Sequence, residues 1–547
     1  MENLIKVARG LLPADVVFKG GSLLNVFTES WVQADLAVYQ GKIAGIGCYQ
    51  GKQEINCQNK FIVPGLIEGH LHLESSQLLP RHLAWEAARH GTSAIVADPH
   101  EILNVCGLTG LEFMLQEAED LPLDLFFTLS SCVPASPFEE NGANLKAEDL
   151  QSYWDHPRIL GLAEMMNFPG VLAGEPEVLD KIQAASGRGK FIDGHAPGLS
   201  GRDLNAYVAA GIYSDHECIS WPEAREKLEL GQWIMIREGS AARNLQDLLP
   251  LWESPYAQRC MLVSDDLAAE TLVQSGHLDR IIRQALALGM DPIKTIKMAS
   301  FNPAQYFNLA QRGALAPGYR ADLLVLSDLP GFVLEMVYKN GQPIAPQCGV
   351  NPWQEKIKHT VQIKPPASLQ MGTRPIIQMT AGQLLTQEGG LAAGIDLEQD
   401  VLQVEVWERY RRTGHRCGAY LQGYGLQRGA IAQSISHDSH NLIGVGTNVR
   451  DLQMAFERLQ ELQGGVVMVL EGQVQEELAL PLGGLMSEAP VAEVIASWQR
   501  LKALAWSWGV RSELDPFMAL SFLALPVIPE LKLTTQGLVR VSEFKWI

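Results

Sequence analysis

FIVPGLIEGHLHLESS, residues 61–76, runs apolar and then places His70 and His72 two positions apart, with Glu68 and Glu74 beside them. In a strand, side chains alternate between faces, so residues 70 and 72 point the same way. Two imidazoles on one face at the end of a buried strand can hold a metal ion. The same pair on a loop can be nothing more than two satisfied polar residues, and this stretch alone leaves both readings open.

Reading outward decides between them. Seven more apolar runs follow at intervals: SAIVADPHE, LDLFFTLSSC, RILGLAEMM, KFIDGHAPG, GIYSDHE, WIMIREG and CMLVSDD. Between them lie helix-like segments such as LPRHLAWEAARHG and EPEVLDKIQAAS, and HLDRIIRQALALG follows the last run. Eight strand–helix units over about 240 residues predict an α/β fold of the closed (β/α)8 TIM-barrel type, with an open doubly wound sheet as the alternative. The runs end in His70 and His72, in Asp98, His100 and Glu101, in Glu164, in His195, in His216 and Glu217, and in Asp265 and Asp266. Active sites of such barrels sit at the C-terminal ends of the strands. Ligand-type residues at so many strand ends point to a metal site.

The barrel is expected over 63–307. Short Gly-punctuated strands at 1–62 and similar ones within 308–365 predict a composite β-sandwich made where the chain leaves and returns. IKPPASLQMGTRP reads as a linker to a separate C-terminal α/β domain over 366–547. The chain has 547 residues, is 47% hydrophobic and 19% charged, and carries a formal charge of −19. With a pI near 5.2, it has no surface suited to nucleic acid. Eight scattered cysteines without a CxxC pair fit reduced thiols. No secretory h-region and no apolar run of membrane-spanning length is seen, so a cytoplasmic protein without membrane contact is expected, as a homo-oligomer.

PGLIEGHLHLESS, VADPHEILNV, SCVPA, EMMNFPGV, DGHAPGLSGRDLNAYVAAGI, SDHE and NPAQYF, with HDSHNLIGVGTN, GLMS and DPFMALSFLALPVIPELKLT near the C-terminus, resemble the bacterial adenine deaminases of the amidohydrolase superfamily. HxH marks only the superfamily, whereas EMMNFPGV, GHAPGLSG and HDSHN are specific to that family. The Arg-His-Pro that usually follows the SDD of this family is replaced here by LAAETLVQSGHLD.

The resemblance implies a binuclear site for Mn(II) or Fe(II), with Zn(II) as an alternative. His70 and His72 would bind the more buried ion, Glu164 would bridge, and His195 and His216 would bind the more exposed ion. Asp265 would bind the first ion and contact the attacking hydroxide. Attack on C6 of adenine would give hypoxanthine and ammonia, with Glu217 donating a proton to the ring and Asp265 as shuttle. Asp98, His100 and Glu101 would line the site, hold a further ion or support the ligands. Asp266, His437 and His440 fall in the same supporting group, and HDSHN reads as a turn or a cap over the barrel mouth. Ser130, Ser131 and Cys132 read as barrel packing, and Arg409, Arg411 and Arg412 as a solvated face. The competing readings are an amidohydrolase for a modified purine or cyclic amide, and a silent metal-binding homologue.

Overall fold

The computed structural model describes residues 1–240, 242–345, 351–367, 369, 372–380 and 385–547. Parts of the expected linker, at 368, 370 and 371, therefore lie outside the described residues.

Eight parallel strands form the barrel: β1 (Leu66–His72), β2 (Thr92–Ala97), β3 (Asp124–Leu129), β4 (Ile159–Met165), β5 (Phe191–Gly194), β6 (Ser214–Asp215), β7 (Trp233–Arg237) and β8 (Cys260–Val263, continued by Asp265–Asp266). The ladder runs unbroken from β1 to β5, and again from β6 to β8. Asp265 pairs with Leu71, which brings the last strand back beside the first. Between β5 and β6, side chains replace the ladder: Ser214 Oγ accepts the Gly194 N–H at 3.1 Å and Asp215 Oδ1 accepts that of Ala196 at 2.8 Å. Helices cover the outside. Leu278–Ala287 shows why they do: Leu278, Ile281, Ile282 and Ala285, at i, i+3, i+4 and i+7, are all buried.

The register of β1 slips between Glu68 and Leu71. Ile67 packs with Val96, Met235 and Met261, whereas Leu71 packs with Leu83, Leu103 and Leu125. Strict alternation would put both on one face, so the bulge reverses the strand's facing just before the two histidines. Gly69 sits at this point, where a Cβ would lie 2.9 Å from Met261 Sδ.

The flanking segments join in one eight-stranded sheet, in which Phe61–Pro64 pairs antiparallel with Leu323–Asp328, Val63 opposite Leu324. The sheet curls until the Ile43 N–H reaches the Tyr319 carbonyl at 2.8 Å. It closes over Phe18, Leu36, Ile43, Leu323 and Tyr338.

The C-terminal part is built on a second eight-stranded sheet, with Val401–Trp407 and Leu442–Gly446 near its centre. The helix Val449–Leu462 lies on it, capped by Asn448, whose side chain accepts the Asp451 N–H at 2.9 Å. Leu482, Leu485 and Met486 share one core with Ile102 and Leu103 of the barrel.

The solvated-face reading of Arg409, Arg411 and Arg412 is corrected at Arg409. Arg409 is fully buried and donates to the Gly483 carbonyl at 3.0 Å. Arg411 donates to the Asn141 carbonyl of the barrel at 3.1 Å. Tertiary pairing has turned two of the three into ties, because a guanidinium can enter an interface when carbonyls meet its N–H groups. Arg411, despite this bond, and Arg412 are both exposed.

Candidate metal centre

The C-terminal ends of the strands converge on one cluster. His70 and His72 stand at the end of β1, Glu164 near the end of β4, His195 just after β5, His216 after β6 and Asp265 in β8. His72 Nε2 lies 3.2 Å from Asp265 Oδ1 and 3.4 Å from Glu164 Oε1. His70 Nε2 lies 3.6 Å from the same Asp265 oxygen. On the other side of Glu164, Oε2 is 2.8 Å from His195 Nδ1 and 3.3 Å from His216 Nε2. One carboxylate therefore faces two groups of imidazoles, one with each oxygen. Asp265 has a left-handed backbone, φ 57°, unusual for a residue with a side chain.

Hydrogen bonds behind the ligands orient them. His72 Nδ1 lies 3.2 Å from the Asp98 carbonyl, so its Nε2 is the nitrogen presented to the cluster. The fully buried Lys227 bonds Asp215 at 2.9 Å, and Asp215 in turn accepts the Glu217 N–H at 3.0 Å. Glu68, outside the expected ligand set, accepts the main-chain N–H groups of His70 and Ser264, each at 3.0 Å, and so ties β1 to β8.

Burial penalises charge on every group here, but pairing outweighs it. Hydrogen bonds to Glu164 and Glu217 hold the His216 imidazole well above its usual pKa. Bonds from His195 and His216 hold the Glu164 carboxyl well below the carboxylate range. Asp265 is held low by His70, His72 and Arg237. Burial favours a neutral Glu217, yet His195 and Arg237 bring its pKa down to about 2. The pocket thus strongly favours positive charge beside its carboxylates.

These residues fit two metal ions. Imidazole and carboxylate are the donors of Mn, Fe and Zn sites. His70, His72 and Asp265 offer ligand atoms within 4.8 Å of one another, as do His70, Glu164 and His216, and His195, His216 and Glu217. Among the described residues, the buried His70 Nε2 has no hydrogen-bond partner, as befits a nitrogen reserved for a metal.

Asp98 and His100 reach the edge of this cluster, His100 Nδ1 lying 3.7 Å from Glu164 Oε1. Glu101 stands one step behind, 3.9 Å from His437 Nδ1 and 3.8 Å from His440 Nε2. Asp266 accepts the Ser75 hydroxyl at 2.5 Å. HDSHN sits over the barrel mouth, where Asp438 Oδ1 is 3.8 Å from His100 Nε2. The Ser131 hydroxyl bonds the Glu164 carbonyl, and Cys132 is buried with its thiol pKa pushed up, so this trio is packing. Arg237 at the end of β7 was missed by the sequence reading. It binds Glu217 and reaches Asp265 at 3.0 Å. A charged residue closing the run WIMIREG was the available signal.

A cavity of about 520 Å³ opens over the cluster. Its floor is formed by His72, Glu164, His195, His216 and Asp265 with Arg237. Its roof comes from the C-terminal part and is largely apolar, with Phe522, Leu525, Val527 and Ile528 beside His437 and Asp438.

A parallel barrel with imidazoles and carboxylates converging at its C-terminal rim is the architecture of a metal-dependent hydrolase. Residues 61–344 match the amidohydrolase family model and residues 378–545 that of the adenine deaminase C-terminal domain. The chain is 43% identical over 573 residues to the adenine deaminase of Dehalococcoides mccartyi, covering 100% of this chain and 99% of that one. It is 42% identical to that of Desulfatibacillum aliphaticivorans, covering 100% and 99%. Against that of Syntrophobacter fumaroxidans it is 43% identical, covering 100% and 97%. The chain belongs to the amidohydrolase family and, within it, to the adenine deaminases. Among the described residues no helix is long and apolar enough to cross a membrane.

Proposed function

We propose that this protein hydrolyses adenine to hypoxanthine and ammonia at a binuclear centre of Mn(II) or Fe(II), with Zn(II) as the alternative metal. The observation that carries the reading is full-length identity of 40–43% to adenine deaminases, joined to a complete set of converging ligands. His70, His72 and Asp265 would hold one ion, His195 and His216 the other, and Glu164 both. When bound, the ions supply the Lewis acidity that makes a water-derived nucleophile available at neutral pH.

The protein's own groups then handle the protons. The Arg237 guanidinium, bonded to both carboxylate oxygens of Glu217, favours the ionised form of that carboxyl in the resting site. Glu217 therefore begins as a base, and delivers a proton to ring N1 only after taking one from water. Arg237 fixes its position. Asp265, whose carboxyl Arg237 helps to hold ionised, is the second proton carrier: it would take the remaining proton of the water-derived nucleophile and pass it to the leaving amine, which departs as ammonia. The apolar roof at 522–528 covers the base and keeps bulk water from the reacting carbon.

Ammonia release by the Mn(II)-loaded protein from adenine, adenosine, guanine, cytosine and 2,6-diaminopurine tests the reading. Adenine is expected to be the preferred substrate and adenosine a very poor one. Faster turnover of adenosine or cytosine overturns the substrate assignment.

A further inference from the structure

We propose a third divalent-cation site at the edge of the cluster, held by Asp98 Oδ2, His100 Nδ1 and Glu164 Oε1. It adds to the two-ion reading above and rests on it only for its neighbours.

Asp98 and His100 are 2% and 3% exposed. Asp98 Oδ2 and His100 Nδ1 lie 3.2 Å apart, the separation of two ligands on one ion. Among the described residues, neither atom has a hydrogen-bond partner. A buried polar atom left without a partner costs about 1–3 kcal/mol, so two of them side by side call for a shared partner. His100 Nδ1 is 3.7 Å from Glu164 Oε1, and these atoms with His72 Nε2 all lie within 4.8 Å of one another.

The other atom of each side chain is turned elsewhere. Asp98 Oδ1 accepts the His100 main-chain N–H at 3.1 Å. His100 Nε2 faces Asp438 Oδ1 of the C-terminal part at 3.8 Å. A proton on Nε2 leaves Nδ1 with the lone pair a metal needs, so a carboxylate from the cap selects the ligating tautomer. Glu164 Oε2 is taken by His195 and His216, whereas Oε1 lies between His72 Nε2 at 3.4 Å and His100 Nδ1 at 3.7 Å and would be shared by the first ion and this one.

The donors are two carboxylate oxygens and one imidazole nitrogen. That set is oxygen-rich beside its histidine-rich neighbours and suits a hard divalent ion, Mn(II) rather than Zn(II), with water completing the shell. Fewer imidazoles and repulsion from two adjacent ions make it the weakest of the three sites and the last to fill.

The test is equilibrium dialysis of the full-length protein over a range of free Mn(II), with elemental analysis, and anomalous diffraction at the Mn edge from crystals grown at the highest concentration. Two tight equivalents and one weaker one are expected, with a peak between Asp98 and His100. His100→Gln and Asp98→Asn, both close in shape to the native residues, are each expected to bind two. Saturation of the wild type at two, or retention of three by both variants, overturns the site. The count is independent of substrate: two ions with adenine turned over removes this site alone, and three ions with no purine turned over removes only the functional reading.

Discussion

Arg237 grips Glu217 with both ends of its guanidinium, Nη2 donating to Oε2 at 2.9 Å while Nη1 donates to Oε1. Nη1 also reaches Asp265 Oδ2 at 3.0 Å, so one cation positions both groups assigned to proton transfer. Arg237→Met is expected to lower kcat by roughly 10²–10³, the usual cost of losing a charged positioning donor. Without the cation the Glu217 carboxyl rises from about 2 toward the ordinary range, so the acid limb of the pH–rate profile moves to higher pH. A profile that keeps its acid limb would show that Arg237 does not act through Glu217.

Glu164 presents one oxygen to His72 and the other to His195 and His216. Glu164→Gln removes the charge between the two ions. At least one ion is expected to be lost, with activity down by more than about 10³-fold. Metal analysis and turnover of the same preparation check this. Normal content and rate would refute the bridging role.

Chelation of the wild-type protein is expected to abolish ammonia release, and Mn(II) to restore it. Elemental analysis of the chelated protein alongside the assay is the check. Full activity in protein shown to hold no metal would sink the centre.

Removal of residues 366–547 strips Leu482, Leu485 and Met486 from Ile102 and Leu103, and takes the roof from the cavity. The truncated chain is expected to be insoluble or inactive, because the exposed apolar faces have no other cover. A soluble barrel with full turnover would make the C-terminal part dispensable.

Lys532 is fully buried and donates to the Phe522 carbonyl at 2.9 Å. Burial pushes its pKa down from 10.5 to about 7. Between these values the unfolded chain binds more protons than the folded one, so stability rises as pH climbs from about 7 to 10.5, by at most about 1.4 kcal/mol per unit. Lys532→Met is expected to remove that rise, which thermal melts at a series of pH values will show. A variant with the wild-type slope would place the effect in another group.

The eight strands and the ligand-type residues at their ends were legible in the sequence because both are local properties, whereas the choice of six as metal ligands came from the family resemblance. A strand shows itself by a short apolar run, and a ligand by its type and its place at the end of that run. HxH reads as a same-face pair for the same reason, and the bulge upstream at Gly69 leaves that pair intact. Which groups serve the ligands was decided only in three dimensions. Arg237, Glu217 and Asp265 stand at or just beyond the ends of three different strands and meet because the barrel closes. Lys227 reaches Asp215 from the helix Trp221–Glu229, which packs against β7. Arg409 looked like part of a solvated cluster because charge alone says nothing of burial. It is interior because the Gly483 carbonyl comes to meet it. The same holds at the barrel mouth, where Asp438, more than 300 positions along the chain from His100, comes to face it. Sequence determines what each strand end can offer. Closure of the barrel and docking of the cap determine which of those offers are combined, since contacts between distant segments depend on the packing of whole elements rather than on local pattern.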